Sequence, residues 1–119
     1  MLLLFLSVDC PECRRIVAGL ENVRATLLRG LVIHCAGTRS AIERRFATIS
    51  QIVPILMSGE VNVAKSYRLS GVPTGITIDS EWRVGEFYYP SSADAVLEIL
   101  RALPREAAAT RYALSTNYQ

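Results

Sequence analysis

Two cysteines stand two residues apart in Ser7-Val8-Asp9-Cys10-Pro11-Glu12-Cys13-Arg14-Arg15. That spacing serves three chemistries: a clip for a metal ion, part of a disulfide framework, or a dithiol that trades electron pairs. A third cysteine, Cys35, follows His34, and the chain has no other cysteine or histidine. Three cysteines are too few for a disulfide scaffold, and the number is odd. A zinc or iron–sulfur site needs four ligands. His34 and Cys35 are neighbours on what reads as a strand, so their side chains leave opposite faces and could hardly both join Cys10 and Cys13. No metal site is therefore expected, and the dithiol reading depends on the elements that flank the pair.

Those elements suit a dithiol. Residues 2–8 form an apolar run of strand length. Ile16, Leu20, Val23 and Leu27 then recur at spacings of four, three and four, which predicts one apolar stripe on a helix over 11–28. Pro11 suits its first turn and Gly30 its exit. Strand followed by helix puts Cys10 at the helix N-terminus, where unpaired amide N–H groups and the helix dipole favour an anion. A cysteine thiolate is stabilised at such a place. Cys13 falls one turn inside, within reach of a mixed disulfide formed by Cys10. Asp9 and Glu12 put negative charge beside Cys10 while Arg14 and Arg15 oppose it; solvated charges count for little, so the helix terminus is expected to dominate.

Further along, residues 30–37 read as a second buried strand, with Cys35 a small core residue and His34 a strand residue with a satisfied hydrogen bond. Ser40 with Glu43 predicts a capping box for a helix bearing Ile42, Phe46 and Ile49. Residues 53–58 hold a short strand, and a short helix over 60–69 turns Ala64 and Tyr67 inward. Residues 75–79 and 83–89 form an antiparallel hairpin around Ser80, Glu81 and Trp82, with Trp82, Phe87, Tyr88 and Tyr89 packing on the hairpin and edge. Ser91 or Ser92 caps a last helix carrying Val96, Leu100 and Leu103, which Pro104 ends. Parallel crossover units followed by an antiparallel hairpin and a closing helix make an α/β sandwich with a mixed sheet.

The strand, dithiol and helix, followed about sixty residues on by VAKSYRLSGVPTGITID at 63–79, resemble the thioredoxin superfamily over residues 2–103. Within it, LLLFLSVDCPEC with GVPTGITID is most similar to the TlpA-like branch and the methylamine dehydrogenase accessory proteins. The resemblance implies a thioredoxin-like three-layer sandwich, its mixed central sheet of four to five strands flanked by about four helices. It implies that Cys10 is the nucleophile and Cys13 the resolving thiol. It also implies a cis peptide bond at Pro73, with Val72, Pro73 and Thr74 lining the groove for an extended substrate segment. Asp9, Pro11 and Glu12 would tune the pair. Three positions depart from thioredoxin itself. Asp9 stands where a tryptophan precedes the first cysteine, Leu4 where a buried aspartate accepts the resolving proton, and Gly75 where a threonine follows Thr74.

The 119 residues, half of them hydrophobic, fit one domain over 1–104 with a tail over 105–119 that frays or packs as an extra helix. The net charge is +2 and arginines from Arg14 to Arg111 are interspersed with acids, so no nucleic-acid groove is indicated. The opening apolar run is too short for a membrane span and lacks the basic lead and cleavage site of a signal peptide. The chain as it stands is expected to be cytoplasmic and monomeric, or exported or tethered if an upstream anchor has been trimmed. No cofactor is implied. The expected function is thiol–disulfide exchange with a protein disulfide or small thiol, re-reduced by an electron donor and leaning to reductase. The alternative is an accessory or chaperone-like binding module with little turnover.

Overall fold

The computed structural model describes residues 1–57 and 71–104. Five strands form one sheet: β1 (Leu2–Ser7), β2 (Leu31–Ala36), β3 (Ile55–Met57), β4 (Thr74–Ile78) and β5 (Val84–Tyr88), in the order β3-β2-β1-β4-β5. β1 is central, and every side chain from Leu2 to Leu6 is buried, as an apolar strand covered on both faces requires. It pairs in parallel with β2, Leu4 opposite Ile33, and β2 pairs in parallel with β3. β4 runs antiparallel to β1, Leu3 opposite Ile76, and β5 runs antiparallel to β4. The mixed α/β sheet expected from the order of elements is present.

Three α-helices lie among the described residues: α1 (Pro11–Leu20), α2 (Arg39–Arg45) and α3 (Ala93–Ala102). The expectation was about four; the helix over 60–69 and the tail over 105–119 lie outside the described residues. Two parallel crossovers that step the same way along a sheet carry their helices to the same face. Accordingly Leu2, Leu4 and Leu6 of β1, with Ile33 and Cys35 of β2, pack against Ile16, Val17 and Leu20 of α1, Ile42 of α2, and Val96 and Leu100 of α3. On the other face Leu3 and Phe5 meet Ile76 and Ile78 in a smaller cluster.

Local departures from the sequence expectations have specific causes. α1 stops at Leu20 and not at residue 28 because Asn22 turns its amide back onto the Ala18 carbonyl (3.0 Å), satisfying one of the last helix acceptors. A separate 3₁₀ turn, Ala25–Leu28, then replaces Leu27 by Leu28 as the inward residue, and Leu27 is 50% exposed. The cap of α2 is Thr38, not Ser40: Gly37 turns the chain at φ +138°, and the Thr38 hydroxyl accepts the Ala41 N–H at 3.2 Å. Glu43 pairs with Arg39 instead. Ile42, Phe46 and Ile49 are buried together, although Ile49 belongs to a 3₁₀ turn after the helix.

Ser92 caps α3 by accepting the Ala95 N–H, and the helix ends before Pro104. In the hairpin turn, Asp79 Oδ1 accepts the N–H groups of Glu81 and Arg83, and Trp82 sits at φ +64°. Trp82, Phe87 and Tyr89 face outward, against the expectation that they pack; β5 is a sheet edge, and α3 returns to pack on α1 and the Ala25–Leu28 turn.

Candidate dithiol site

Chain direction brings the parts of the site to one end of the sheet. β1 ends at Ser7, and a short turn delivers Cys10 to the start of α1. Register pairs Phe5 of β1 with Thr74 of β4, so residues 72–73 enter β4 beside the end of β1 from which Cys10 departs. The Val72–Pro73 peptide bond is cis. Val72 is half-buried and packs against both apolar clusters, and Cys10 packs against the larger of them.

Cys10 is the N-cap of α1, with extended backbone (φ −88°, ψ 114°), and its Sγ accepts the Cys13 N–H at 3.2 Å. A sulfur therefore fills the place that a serine or aspartate oxygen fills in an ordinary cap. Pro11 occupies the first helical turn, where its missing N–H costs nothing. Cys10 is half-buried, whereas Cys13 is 0% exposed. Both thiols are free.

Burial in an apolar cluster pushes the Cys13 thiol up to about 12, helped by its hydrogen bond with Cys10 and by the charges that Cys10 and Cys35 would carry. A backbone group of Ser7 opposes the shift. Leu4 is fully buried in the same cluster. Among the described residues, the titratable groups acting on Cys13 are the thiols of Cys10 and Cys35.

The remaining residues singled out in the sequence fall around this core. Asp9 is exposed, its N–H donating to Ser7 Oγ at 3.3 Å, and Glu12 is half-buried in the first turn of α1. Thr74 is buried and its hydroxyl donates to the Gly71 carbonyl at 2.6 Å, which ties the strand to the loop before Pro73. His34 points to the opposite face from Cys35, its ring 5.3 Å from that of Phe5, and burial lowers its pKa. Among the described residues no three histidine, cysteine or acidic side chains gather closely enough to hold a metal ion. Among the same residues no helix is long and apolar enough to cross a membrane.

Sequence reasoning missed Ser7, whose backbone bears on the Cys13 thiol, and the nearness of Cys35 to the pair. The alternation of β2 puts Cys35 on one face or the other, but only the register with β1, Leu6 opposite Cys35, shows that this is the face Cys13 looks onto.

No family model and no curated protein matches the sequence. Solved structures do match the fold. A secreted Mycobacterium tuberculosis disulfide oxidoreductase homologous to E. coli DsbE superposes with a TM-score of 0.64 at 18% identity, over 86% of this chain and 80% of that one. The exposed lipoprotein thioredoxin Etrx1 of Streptococcus pneumoniae gives 0.60 at 17% identity, over 86% and 83%. StoA of Bacillus subtilis gives 0.58 at 15%, over 82% and 78%. At such identities the likeness establishes the architecture: the chain has a thioredoxin-like fold.

Proposed function

We propose that this chain is a thiol–disulfide oxidoreductase with Cys10 as nucleophile and Cys13 as resolving thiol. The observation that carries the reading is the N-cap geometry: a half-exposed Cys10 sulfur held at a helix N-terminus by the Cys13 N–H, with the Cys13 thiol buried directly behind it. The fold shared with disulfide oxidoreductases supports it.

The Cys10 thiolate attacks one sulfur of a disulfide, in a protein or a small molecule, and expels the other as a thiolate. The cis Val72–Pro73 segment beside it offers an extended substrate a backbone edge, with Val72 as the lining side chain and Thr74 as the tie that holds the loop. Substrate attachment also acts on Cys13. Its thiol is held protonated by burial first and by its contact with Cys10 second. Once the Cys10 sulfur is in a mixed disulfide it carries no negative charge, so the contributions from Cys10 fall away and Cys13 ionises more readily. Cys13 then displaces the product and leaves Cys10–Cys13 oxidised, to be reduced by a separate donor. Asp9 and Glu12 adjust the charge around Cys10, and the direction leans to reductase.

One observation favours a second reading, an accessory or chaperone-like module that retains its partner. Burial, the largest cause of the raised Cys13 pKa, persists in the mixed disulfide and slows its resolution near neutral pH. Insulin reduction driven by dithiothreitol separates the two. The wild type should accelerate it and Cys10→Ser should abolish the acceleration, while Cys13→Ser should accumulate a mixed disulfide through Cys10. Absence of dithiol-dependent activity, with partner binding unchanged in Cys10→Ser, would select the binding module.

A further inference from the structure

We infer that Cys35 is a third redox thiol of this site, able to draw Cys13 out of the Cys10–Cys13 disulfide into a buried Cys13–Cys35 disulfide and so return Cys10 as a free thiol. The inference rests on the exchange reading for its source of oxidising equivalents.

Three observations put the two thiols in one part of the core, on the sheet face that Leu6 shares with Cys35. Cys13 and Cys35 are both 0% exposed and belong to one continuous apolar cluster between α1 and the β1–β2 face of the sheet. Their thiols are anchored by consecutive residues at the end of β1: the backbone of Ser7 acts on Cys13 and that of Val8 on Cys35. A charge on Cys35 is also felt at Cys13, and among the described residues the other titratable group acting there is Cys10. The Cys35 thiol also donates to the Ala36 carbonyl at 3.6 Å, at the end of β2 that lies beside the end of β1.

The step balances without an added oxidant. The Cys35 sulfur attacks Cys13 Sγ, the Cys10–Cys13 bond breaks, and the Cys10 sulfur leaves as the thiolate. The proton lost by Cys35 ends on Cys10. Two electrons' worth of oxidation stay in the protein, moved from a pair with a half-exposed member to a pair wholly shielded from solvent. External thiols reach it only by returning through Cys10. While Cys13 is held by Cys35, a partner captured on Cys10 is not released by Cys13, so the internal disulfide sets the site to retain what it binds.

Peptide mapping tests this directly. Trypsin leaves Cys10 and Cys13 together in the peptide ending at Arg14 and Cys35 in residues 30–39. Oxidised wild type, quenched with N-ethylmaleimide under denaturing conditions, should yield these two peptides joined, alongside the internally bridged first peptide. Diamide-treated Cys10→Ser, in which diamide is the oxidant, should lose both remaining thiols to alkylation within the monomer and give the same joined peptides. Cys35→Ser should give no joined peptide. Quantitative alkylation of Cys35 in oxidised wild type and in diamide-treated Cys10→Ser would overturn the inference. Failure of the exchange reading shows separately, as a wild type that forms no Cys10–Cys13 bridge, because the Cys10→Ser arm does not depend on that bridge.

Discussion

A thiol in an apolar cluster keeps its proton because its anion has nothing to solvate it, and that preference is a stability term. Cys13 and Cys35 rise from 9.0 to about 12 and about 11 on burial. Between pH 9 and 11 the unfolded chain therefore sheds protons that the folded, reduced protein keeps, so stability falls as pH rises. The expected loss is on the order of 2 kcal/mol for each thiol at about pH 10.5. Urea midpoints of the reduced protein and of Cys35→Ala across this range measure it, and the substitution should halve the part due to thiols. Equal slopes in the two proteins would mean that Cys35 meets water. At the acid end His34 acts with the opposite sign. Burial holds its folded pKa below 6.5, so the unfolded state takes up a proton first and stability drops as pH falls through and below that value. His34→Gln should flatten this acid limb, as read from urea midpoints between about pH 7 and pH 5.

At the scale of elements, α1 carries the dithiol and α3 fixes where α1 lies. The two approach so closely at Gly19 that a Cβ there would stand 2.5 Å from the Cβ of Ala93. Gly19→Ala should cost about 1–3 kcal/mol through overpacking, despite the better helix propensity of alanine. A lower urea midpoint with an unchanged slope would register it, and a neutral result would show that α1 can shift away freely. The end of α1 accounts for part of what the sequence hid. Apolar spacing over 11–28 could not distinguish one long helix from a helix and a 3₁₀ turn, because the stop is a side-chain bond from Asn22 to Ala18. Thr38 capped α2 in place of Ser40 for a related reason: the boundary depends on where Gly37 turns the chain. The hairpin was legible because its alternation and turn residues are local. The outward aromatics of β5 were not, since edge position depends on where α3 goes.

For the whole molecule, alternating strands and helices specified the sheet, and the cysteine pair between β1 and α1 marked the end where chemistry could occur. What the sequence alone could not supply was convergence. Cys35 read as a core filler until parallel register placed it over the cluster that Cys13 enters. Convergence also links the dithiol to global stability. Reduced and oxidised, folded and unfolded forms make a closed cycle, so the stability difference between the two redox states equals the shift in reduction potential from that of the unfolded pair. Each 30 mV corresponds to about 1.4 kcal/mol. A strong oxidant is one whose reduced form is the more stable. Here the reduced state buries the Cys13 thiol in its protonated form, and among the described residues the hydrogen bond at the Cys10 sulfur is the single N–H of Cys13. That is little stabilisation of a reduced pair. The oxidised protein should therefore unfold at higher urea concentration than the reduced one at pH 7, by one to a few kcal/mol if the potential lies nearer about −270 mV than about −120 mV. Parallel urea titrations with and without dithiothreitol measure the difference, and a more stable reduced form would turn the proposed direction from reductase to oxidant.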